Sequence, residues 1–580
     1  KVVGEDRETT IIDGNQSGSV VVFRNGEGPT ALLSGFTITN GIGTLQDYTV
    51  GGGIFLEQSS SPTLKNLVII NNTADQGGGL QANGGTPILQ DIIITENTAD
   101  GAAGIYLFGS NAILQNVIIS SNTADGNGGG LSANGGSPIL NNILIHNNSA
   151  NENSGGLAFN NSFPSLINVT TSNNISSSGA GGIYIEGAAH PNLINTNFYN
   201  NVPREIYFRP VGGASPHSYI TINFSNIGGG LDSIATNDNG TVIWGDGNID
   251  VDPVFVDTAN GNYHLLASSQ LINAGHPDST DSDGTIADIG AYPYLNSYSG
   301  PTWYISTSGN NTTATGAADD PFKSIQAGIN FSSSGDSVTV AAGTYVENIH
   351  FPGKNIDVIG ADQETTIIDG DSSGSVVTFS SWQSSTTVFS GFTIQNGNNN
   401  DGGGGIFVDG TSPTLNNLII KNNSAISNGA GIYISNSSLL LKNSIIKDNS
   451  SVLASGVHIE NTSYATIMNV EITGNNLAHG STIWVSGSYP IFSNTTITNN
   501  ESSINNNEKG IELYNTANVT LINSIITGQN NAPIYFNGSN LDYPSFITIS
   551  YSLIEGGQDS IVTNDNGTVT WGDGNIDVDP

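Results

Sequence analysis

The chain has 580 residues, and its 49 Asp and Glu against 12 Lys and Arg give a formal net charge of −37 at pH 7. This charge disfavours nucleic acid and anionic membrane as partners and favours cations, neutral glycans and basic surfaces. Cysteine is absent, which excludes disulfides and thiolate metal sites. No apolar run approaches the roughly 18 residues of a membrane span, so no membrane insertion is expected.

The first unit is predicted to span residues 1–297 and to begin without a cap, because Lys1-Val2-Val3 already reads as a strand. Within it, a glycine followed by an aliphatic residue returns every 25 or 26 residues. A fixed period of this size indicates a solenoid. The glycine row consists of Gly53, Gly79, Gly104, Gly130, Gly156 and Gly182, and it resumes at Gly405, Gly431 and Gly456.

Each repeat contains short β-branched runs separated by turn residues, which predicts strands. Leucine-rich repeats have a similar period, but no segment of this repeat has helical spacing. We therefore predict an all-β parallel β-helix with about three strands per coil and coils ~4.8 Å apart. The glycine before the first strand is expected to adopt positive φ at a corner.

Two rows of asparagine follow the same period. The first row precedes the aliphatic run and consists of residues that form turns and tolerate left-handed backbone. The second row follows the aliphatic run, and its amides are expected to stack between coils. The first row is Asn66, Asp91, Asn116, Asn142, Asn168 and Asn195, and the second is Asn72, Asn97, Asn122, Asn148, Asn174 and Asn200.

The sequence repeats at a larger scale, which predicts a second unit over residues 298–580. ETTIIDG occurs at 8–14 and at 364–370, an offset of 356, and Thr236–Pro253 matches Thr563–Pro580 with one difference at an offset of 327. The units therefore differ by about one coil. The first continues into an acidic C-terminal segment, and we expect that the equivalent segment of the second unit is cut off at Pro580.

The second unit begins with the best helix signal in the chain, near 320–330. Asp320 and Pro321 suit an N-cap and a first helical position. Phe322, Ile325 and Ile329 then lie on one face. A short amphipathic helix here is expected to cap the open apolar end of the solenoid.

The segments DPFKSIQAGI, GDSVTVAAGTYVENI and SGFTITNG, with the GGGI…NNTA coils, resemble the right-handed parallel β-helix repeat proteins of bacterial surfaces. These include pectate-lyase-like and polymorphic outer-membrane-protein-like modules. The stretch from NIDVDPVFVDTANGNYHL to DSDGTIADIGAY is similar to the end of such modules in large secreted proteins. The resemblance implies right-handed coiling and an extracellular or cell-surface location, but the fold serves lyases, adhesins and structural rods alike.

Outward positions of the first strand form the main candidate site. Rings beside acidic or amide side chains suit glycan or partner contact, and the alternative is that stacked rings stabilise the sheet or pack on a neighbouring unit. The candidates are Phe407, Tyr433, His458, Trp484, Asp409 and Glu460, with Phe55, Tyr106 and Tyr184 in the first unit.

A catalytic site is not expected from this pattern. A lyase needs a base and cations, yet Lys65, Lys421, Lys442 and Lys447 fall away from the ring row. An inverting glycosidase needs carboxylates roughly 6.5–9.5 Å apart, and Asp409 and Glu460, with His458 close by, are ~10 Å apart by coil rise.

Acidic clusters offer calcium sites. Asp278, Asp281, Asp283 and Asp288 surround Gly284, and spaced carboxylates at a glycine turn suit a hard cation, although the spacing is not that of an EF-hand. A second, weaker set is Asp246, Asp250 and Asp252, repeated as Asp573, Asp577 and Asp579. Ordinary Asp-Gly turns are the alternative.

These observations favour a non-enzymatic, extracellular structural or adhesive protein. Its tandem units are expected to assemble with copies of themselves into a rod, filament or surface layer, with no cofactor required beyond possible calcium. The alternative is a carbohydrate-binding or polysaccharide-degrading lyase or hydrolase that uses the outward aromatic and acidic face.

Overall fold

The computed structural model describes residues 1–210, 217–381, 383–478, 480–502, 509–529, 531–539 and 541–578. The chain forms two compact units, Lys1–Leu295 and Asn296–Pro580. Each is a parallel β-helix built from three sheets, as the sequence predicts. Within the described residues, every helix is too short or too polar to cross a membrane.

In the first unit, a 13-stranded sheet of mostly long strands, an eight-stranded sheet and a seven-stranded sheet run along the coils. The long-strand sheet contains Val2–Val3, Ile11–Asp13, Leu32–Thr39, Thr63–Ile70, Ile88–Thr95, Ile113–Ser120, Ile139–His146, Ser165–Ser172, Asn192–Ile194, Asn197–Tyr199, Ser218–Asn223, Asn226–Ile227 and Gly240–Trp244. The second, called the ring sheet below, contains Val21–Phe23, Ile54–Leu56, Leu80–Asn83, Ile105–Phe108, Leu131–Asn134, Leu157–Asn160, Ile183–Glu186 and Ile206–Phe208. The third contains Thr44–Leu45, Thr49–Val50, Thr73–Gln76, Thr98–Gly101, Thr123–Ala124, Ser149–Ala150 and Ile175–Ser176.

The second unit repeats this arrangement with sheets of 16, eight and five strands. Its long-strand sheet contains Thr302–Ile305, Ser337–Val340, Gly343–Val346, Asp357–Gly360, Thr366–Asp369, Val388–Gln395, Thr414–Lys421, Leu440–Lys447, Thr466–Thr473, Ile491–Ser493, Thr496–Thr498, Asn518–Ile522, Ile525–Ile526, Ser545–Ser550, Leu553–Ile554 and Gly567–Trp571. Its ring sheet contains Ile349–Phe351, Val377–Phe379, Ile406–Asp409, Ile432–Ser435, Ala454–Glu460, Ser481–Ser486, Lys509–Tyr514 and Ala532–Phe536. Its third sheet contains Asn398–Asn399, Ser424–Ala425, Ser450–Ser451, Asn476–Leu477 and Glu501–Ser502.

Equivalent residues of successive coils pair in register. Leu80 pairs with Ile54 on one side and Ile105 on the other, and the same pairing carries through to Ile183. Each glycine of the glycine row, called a ladder glycine below, is followed by a fully buried aliphatic residue. In the first unit these aliphatic side chains form one continuous core. The predicted inward orientation of Ile54, Leu80 and their equivalents is confirmed.

A buried row of asparagine side chains joins the coils. The Asn72 amide donates to Asn97 Oδ1 at 3.0 Å, and the same bond repeats from Asn97 through Asn122, Asn148 and Asn174. The predicted stacking of amides is therefore present. The row then continues to Asn201 rather than the predicted Asn200, and Asn201 donates to the carboxylate of Glu205.

The ladder glycines have no room for a Cβ atom, because the backbone of the neighbouring coil lies too close. A Cβ on Gly79 would lie 2.6 Å from the carbonyl oxygen of Gly104 and 3.1 Å from the Asn97 amide. The predicted positive φ occurs at glycines before the first strand, such as Gly51 at 56° and Gly77 at 64°. At Gly53 and its equivalents, two residues later, the constraint is the neighbouring coil.

The capping helix of the second unit is shorter than predicted. It spans Ile325–Phe331 and begins after Ser324, whose hydroxyl accepts from Ala327 N. Asp320 is not the N-cap, because its carboxylate accepts from Thr315 N at 2.9 Å. The carboxylate of Glu347 caps the helix instead, accepting from Ile325 N and Gln326 N, and burial raises its pKa to about 7.

The acidic segment after Pro253 folds back on the first unit. Its antiparallel strands Phe255–Asp257 and Asn262–Leu265 place the ring of Tyr263 4.8 Å from that of His146. Asn173 donates to the Tyr263 hydroxyl at 3.0 Å, and Ala291 N donates to Thr170 Oγ1. The segment therefore buries His146, and this burial lowers the pKa of its imidazole to about 4.

Candidate functional site

The predicted row of aromatic side chains lies on the ring sheet of the second unit and is called the ring row below. Phe407 pairs with Tyr433, Tyr433 with His458, and His458 with Trp484, so these four residues of the ring row occupy equivalent positions on successive coils. They alternate with buried aliphatic residues such as Ile432 and Ile434. The predicted row is therefore present and outside the apolar core.

The rings stack on one another. Ring centroids are 5.2 Å apart for Phe407 and Tyr433, 5.4 Å for Tyr433 and His458, and 6.2 Å for His458 and Trp484. Phe407, Tyr433 and Trp484 are half-buried, while His458 is only 3% exposed. Because neighbours cover each other's faces, the row presents ring edges to solvent. His458 is therefore a supporting member of the row rather than an open contact residue.

A polar cluster surrounds Glu460. One carboxylate oxygen accepts from the Tyr433 hydroxyl at 2.5 Å and from Asn461 Nδ2 at 3.2 Å, and the other lies 3.1 Å from His458 Nε2. The hydrogen bond from His458, ahead of that from Tyr433, lowers the pKa of Glu460. Burial and the bond to Glu460 raise the pKa of Tyr433. The geometry thus maintains an ionised carboxylate beside the rings.

A lysine that the sequence analysis missed extends this face. Lys509 donates to Glu512 at 3.0 Å, and its ammonium lies 3.9 Å from the ring centroid of Tyr535. Glu512, 1% exposed and also bound by Asn537, follows Trp484 in the row. The four lysines named from the sequence, Lys65, Lys421, Lys442 and Lys447, lie on the long-strand sheets, and Lys509 is not among them. The signal was Gly510-Ile511, which continues the glycine row after a longer coil.

Asp409 and Glu460 are linked indirectly through Ser435. Asn436 donates to Asp409 at 3.3 Å and to Ser435 Oγ at 3.2 Å. Asn461 donates to the same Ser435 Oγ at 3.1 Å and to Glu460 at 3.2 Å. Together with Ser435, Ser486 and Tyr514, the two acidic residues form a second outward row two residues after the rings. This row supplies hydrogen-bonding groups beside the ring edges.

In the first unit the three candidate rings differ in access. Phe55 is completely buried, so the prediction that it contacts a glycan is wrong: the loop before its strand, at Gly51, packs against it. Tyr106 is half-buried, and Tyr184 is 5% exposed. The positions between the two tyrosines carry Ser132 and Ala158, so this ring row is interrupted.

The acidic calcium candidates bond mainly to their own loop. Asp281 accepts from Asp288 N, Asp283 from Thr285, and Asp288 from Asn273 N and Tyr294 N. Burial raises the pKa of Asp281 to about 6 and that of Asp288 to about 8. Asp278 donates its N–H to His276 Nδ1. Among the described residues no group of three or more His, Asp or Glu side chains is arranged to hold a metal ion.

The second acidic set holds turns. Asp250 accepts from Gly229 N and Asp577 from Gly556 N, both at 2.9 Å, and Asp252 accepts from Val254 N. The bonds of Asp250 and Asp577 occur at the same place in the two copies of the repeated sequence. Asp579 lies outside the described residues. These carboxylates thus close loops at the C-terminal end of each unit.

The sequence matches the family described as the right handed beta helix region over residues 7–171, 377–543 and 440–577. These segments cover more than half of the chain. The chain belongs to this right-handed β-helix family. The predicted handedness is thereby confirmed. No curated protein matches the sequence significantly.

Several solved structures resemble this β-helix protein. Pectate lyase Pel9A is 16% identical, with a TM-score of 0.34 over 47% of this chain and 80% of its own. The pectin methylesterase from carrot is 12% identical, with a TM-score of 0.30 over 48% and 91%. The PL6 family alginate lyase AlyGC is 13% identical, with a TM-score of 0.25 over 99% and 93%.

These structures correct the prediction of a non-enzymatic protein. The solved proteins similar to this chain are enzymes named for pectate, pectin and alginate. At these identities the likeness concerns the fold alone, and it transfers no substrate or catalytic residue to this β-helix protein.

Proposed function

We propose that this chain binds a polysaccharide on the outward face of the second unit. The observation that carries the proposal is the ring row of Phe407, Tyr433, His458 and Trp484, which runs beside a parallel row of hydrogen-bonding side chains. Both rows repeat at the spacing of the coils. An extended glycan chain likewise presents apolar C–H groups and hydroxyls along its length.

The contacts expected on this face follow from the stacking of the rings. Ring edges supply an apolar strip, and aromatic side chains supply large contact area with few rotatable bonds. The Glu460 carboxylate, already oriented by Tyr433 and Asn461, is placed to accept from sugar hydroxyls. Lys509, 12% exposed at its side chain, offers a positive charge in a face that is otherwise acidic.

Binding can be tested with the full chain by affinity electrophoresis in gels containing a neutral glucan, a galacturonan or an alginate. We expect retardation by at least one polysaccharide and a loss of roughly tenfold or more in affinity for Trp484→Ala. Tyr489→Ala is the matched control. The ring of Tyr489 stacks on that of Tyr464, with centroids 5.0 Å apart, and neither tyrosine belongs to the ring row. Equal losses in both variants, or no retardation, would contradict the proposal.

Glycan cleavage at Glu460 is a second candidate function. The specific observation in its favour is a carboxylate held between Tyr433 and His458 with a lowered pKa, which suits a nucleophile in glycoside hydrolysis. Hydrolysis releases reducing ends, and elimination releases unsaturated sugar. Glu460→Gln is expected to remove product formation while retaining binding. Unchanged product release in that variant would refute the role.

An extracellular location and self-assembly are further proposals, supported by the resemblance to modules of bacterial surface proteins. Labelling of intact cells by an antibody against the chain tests the location. Sedimentation of the purified chain over a range of concentrations tests self-association, and a constant sedimentation coefficient would exclude it for this chain.

A further inference from the structure

The ring row of the first unit has a gap of two coils. Tyr106 pairs with Ser132, Ser132 with Ala158, and Ala158 with Tyr184, so two small side chains separate two tyrosines at equivalent positions. The coil after Tyr184 carries Tyr207, whose ring is stacked on it at 6.0 Å with an interplanar angle of 16°. The row is therefore continuous on one side of the gap.

The spacing of Tyr184 and Tyr207 indicates the size of the gap. Their ring centroids are 6.0 Å apart on adjacent coils, so each coil of this face has room for about one ring. The two coils that carry Ser132 and Ala158 therefore lack two ring-sized groups. Tyr207 covers one face of Tyr184, and the other face points along the row towards Ala158. Tyr184 is 5% exposed, so only the part of its ring that borders the cavity is open, whereas Tyr106 on the other side of the gap is half-buried.

The gap is a cavity of about 340 Å³, which suits a small ring-shaped ligand. Its rim carries hydrogen-bonding side chains from several successive turns. Among them, Glu186 accepts from Arg209 at 2.8 Å. The polar lining residues include Gln76, Asp100, Asn127, Asn134, Glu152 and Glu186. A hydroxyl-rich ring satisfies such a rim better than an apolar aromatic ligand does.

Charge defines which saccharides fit. Asp100, Glu152 and Glu186 line the cavity, and its lining contains no Lys or Arg. Arg209 lies outside the lining and is engaged by Glu186. A carboxylated sugar would bring a fourth negative charge into this acidic cavity, and like charges at short range repel. Sugars without a negative charge avoid this cost.

We propose that the cavity between Tyr106 and Tyr184 binds a saccharide that carries no negative charge, with a pyranose ring in the gap between the two tyrosine rings. The proposal shares only its ligand class with the proposed function, because the two sites lie in different units and involve different residues. Ring stacking gives affinity, and the amide and carboxylate rim gives orientation.

Isothermal titration calorimetry of the full chain tests the proposal with three tetrasaccharides: a neutral glucan, a glucosamine oligomer and a galacturonate oligomer. We expect saturable binding of the neutral or the amine-bearing probe and none of the galacturonate probe. Ala158→Tyr should continue the ring row into the cavity and weaken binding at least tenfold, and Tyr184→Ala should have a similar effect by removing a ring that borders the cavity.

Trp484→Ala in the second unit is the control that separates this site from the proposed polysaccharide face, and it should leave the first-unit affinity unchanged. Melting curves verify that Ala158→Tyr and Tyr184→Ala remain folded. The proposal is overturned by equal affinity for the galacturonate probe, by full binding in both folded variants, or by the absence of binding for both uncharged and amine-bearing probes. Loss of binding only in Trp484→Ala would place the ligand in the second unit and overturn it too.

Discussion

Glu205 receives the last hydrogen bonds of the asparagine row in the first unit. It accepts from the backbone N–H of Asn201 at 3.1 Å and from the Asn201 side chain at 2.5 Å, and only 6% of the residue is exposed. Burial raises the pKa of this carboxyl to about 7. A single titrating group thus ends a row that otherwise consists of neutral amides.

The raised pKa makes the contribution of Glu205 to stability smaller at neutral pH than in mild acid. Between pH 4.5 and about 7 the folded state binds more protons at Glu205 than the unfolded state does, so the free energy of unfolding decreases as pH rises through this window. The expected loss is on the order of 3 kcal/mol. Urea unfolding at pH 4.5 and 7.5 should show a smaller loss in Glu205→Gln, which keeps an acceptor for Asn201. Identical losses in wild type and variant would contradict this assignment.

The position of Gly79 cannot carry a side chain without a clash. The Gly104 carbonyl, 2.6 Å from a Cβ at this site, belongs to the backbone and cannot rotate away. Gly79→Ala is expected to lower the free energy of unfolding by about 1–3 kcal/mol through overpacking. Gly28→Ala is the control, since nothing lies within 4 Å of its Cβ position and its φ is not positive. Chemical denaturation compares the two variants, and similar values would argue against a steric role for the ladder glycine.

At the scale of the element, the asparagine row joins the turns between sheets into one hydrogen-bonded structure. Asn122 accepts from Asn97 N and Asn97 Nδ2 and donates to Ile94 O and Asn148 Oδ1. Every one of these bonds is buried. Removing the side chain leaves several polar groups without partners in a site that water does not reach.

Asn122→Ala is therefore expected to cost about 3–5 kcal/mol, since each buried group left unpaired costs roughly 1–3 kcal/mol. Asn151→Ala is the control, because Asn151 is exposed and bonds only to the Asp125 side chain through its amide. We expect a change within about 0.5 kcal/mol for the control. Guanidinium unfolding measures both, and a small effect at Asn122 would show that the row is not a stabilising element.

The segment that folds back after Pro253 changes the pH dependence of the free energy of unfolding in the opposite direction to Glu205. Because it buries His146 and lowers its pKa to about 4, the unfolded state binds more protons between pH 4 and 6.5, and stability is lost as pH falls through this window. His146 Nδ1 is buried without a hydrogen-bond partner, so His146→Phe removes an unsatisfied atom and keeps a ring against Tyr263. The variant should melt higher than wild type at pH 4.5, and by less at pH 7.5. A larger gain at pH 7.5 would contradict the burial effect.

Much of this architecture could be predicted from periodicity alone. The pairing of Leu80 with Ile105, the buried asparagines and the ring row of Phe407, Tyr433 and Trp484 all follow from a period of 25 or 26 residues. Prediction failed where the period changes. Lys509 follows a longer coil, and Asn201 rather than Asn200 continues the amide row after a coil of 27 residues. The contact between Tyr263 and His146 joins residues far apart in sequence and has no repeat to indicate it.

At the scale of the whole molecule, charge is the dominant feature. A net charge of −37 with few cations leaves most carboxylates without an ion-pair partner, so the folded chain repels itself. Raising NaCl from 20 to 300 mM is expected to raise the melting temperature, because salt screens interactions between exposed charges. A melting temperature that falls with salt would contradict this.

The same measurement separates screening from a calcium site. At equal ionic strength, screening alone gives the same melting temperature in CaCl₂ and MgCl₂. A calcium-specific increase that disappears in Asp283→Asn would support the prediction for Asp278, Asp281, Asp283 and Asp288. An equal response to both cations would contradict it.

The buried asparagine row also determines how such a protein can change in length. The amides from Asn72 to Asn174 donate towards the next coil, so the row has a direction and lengthens by whole coils. Single extra residues enter at turns, as in the 27-residue coil from Asn174 to Asn201. An odd shift within a strand would instead turn the core side chains outwards. The offsets between the two units, 356 residues near their start and 327 at their end, differ by 29, close to one coil.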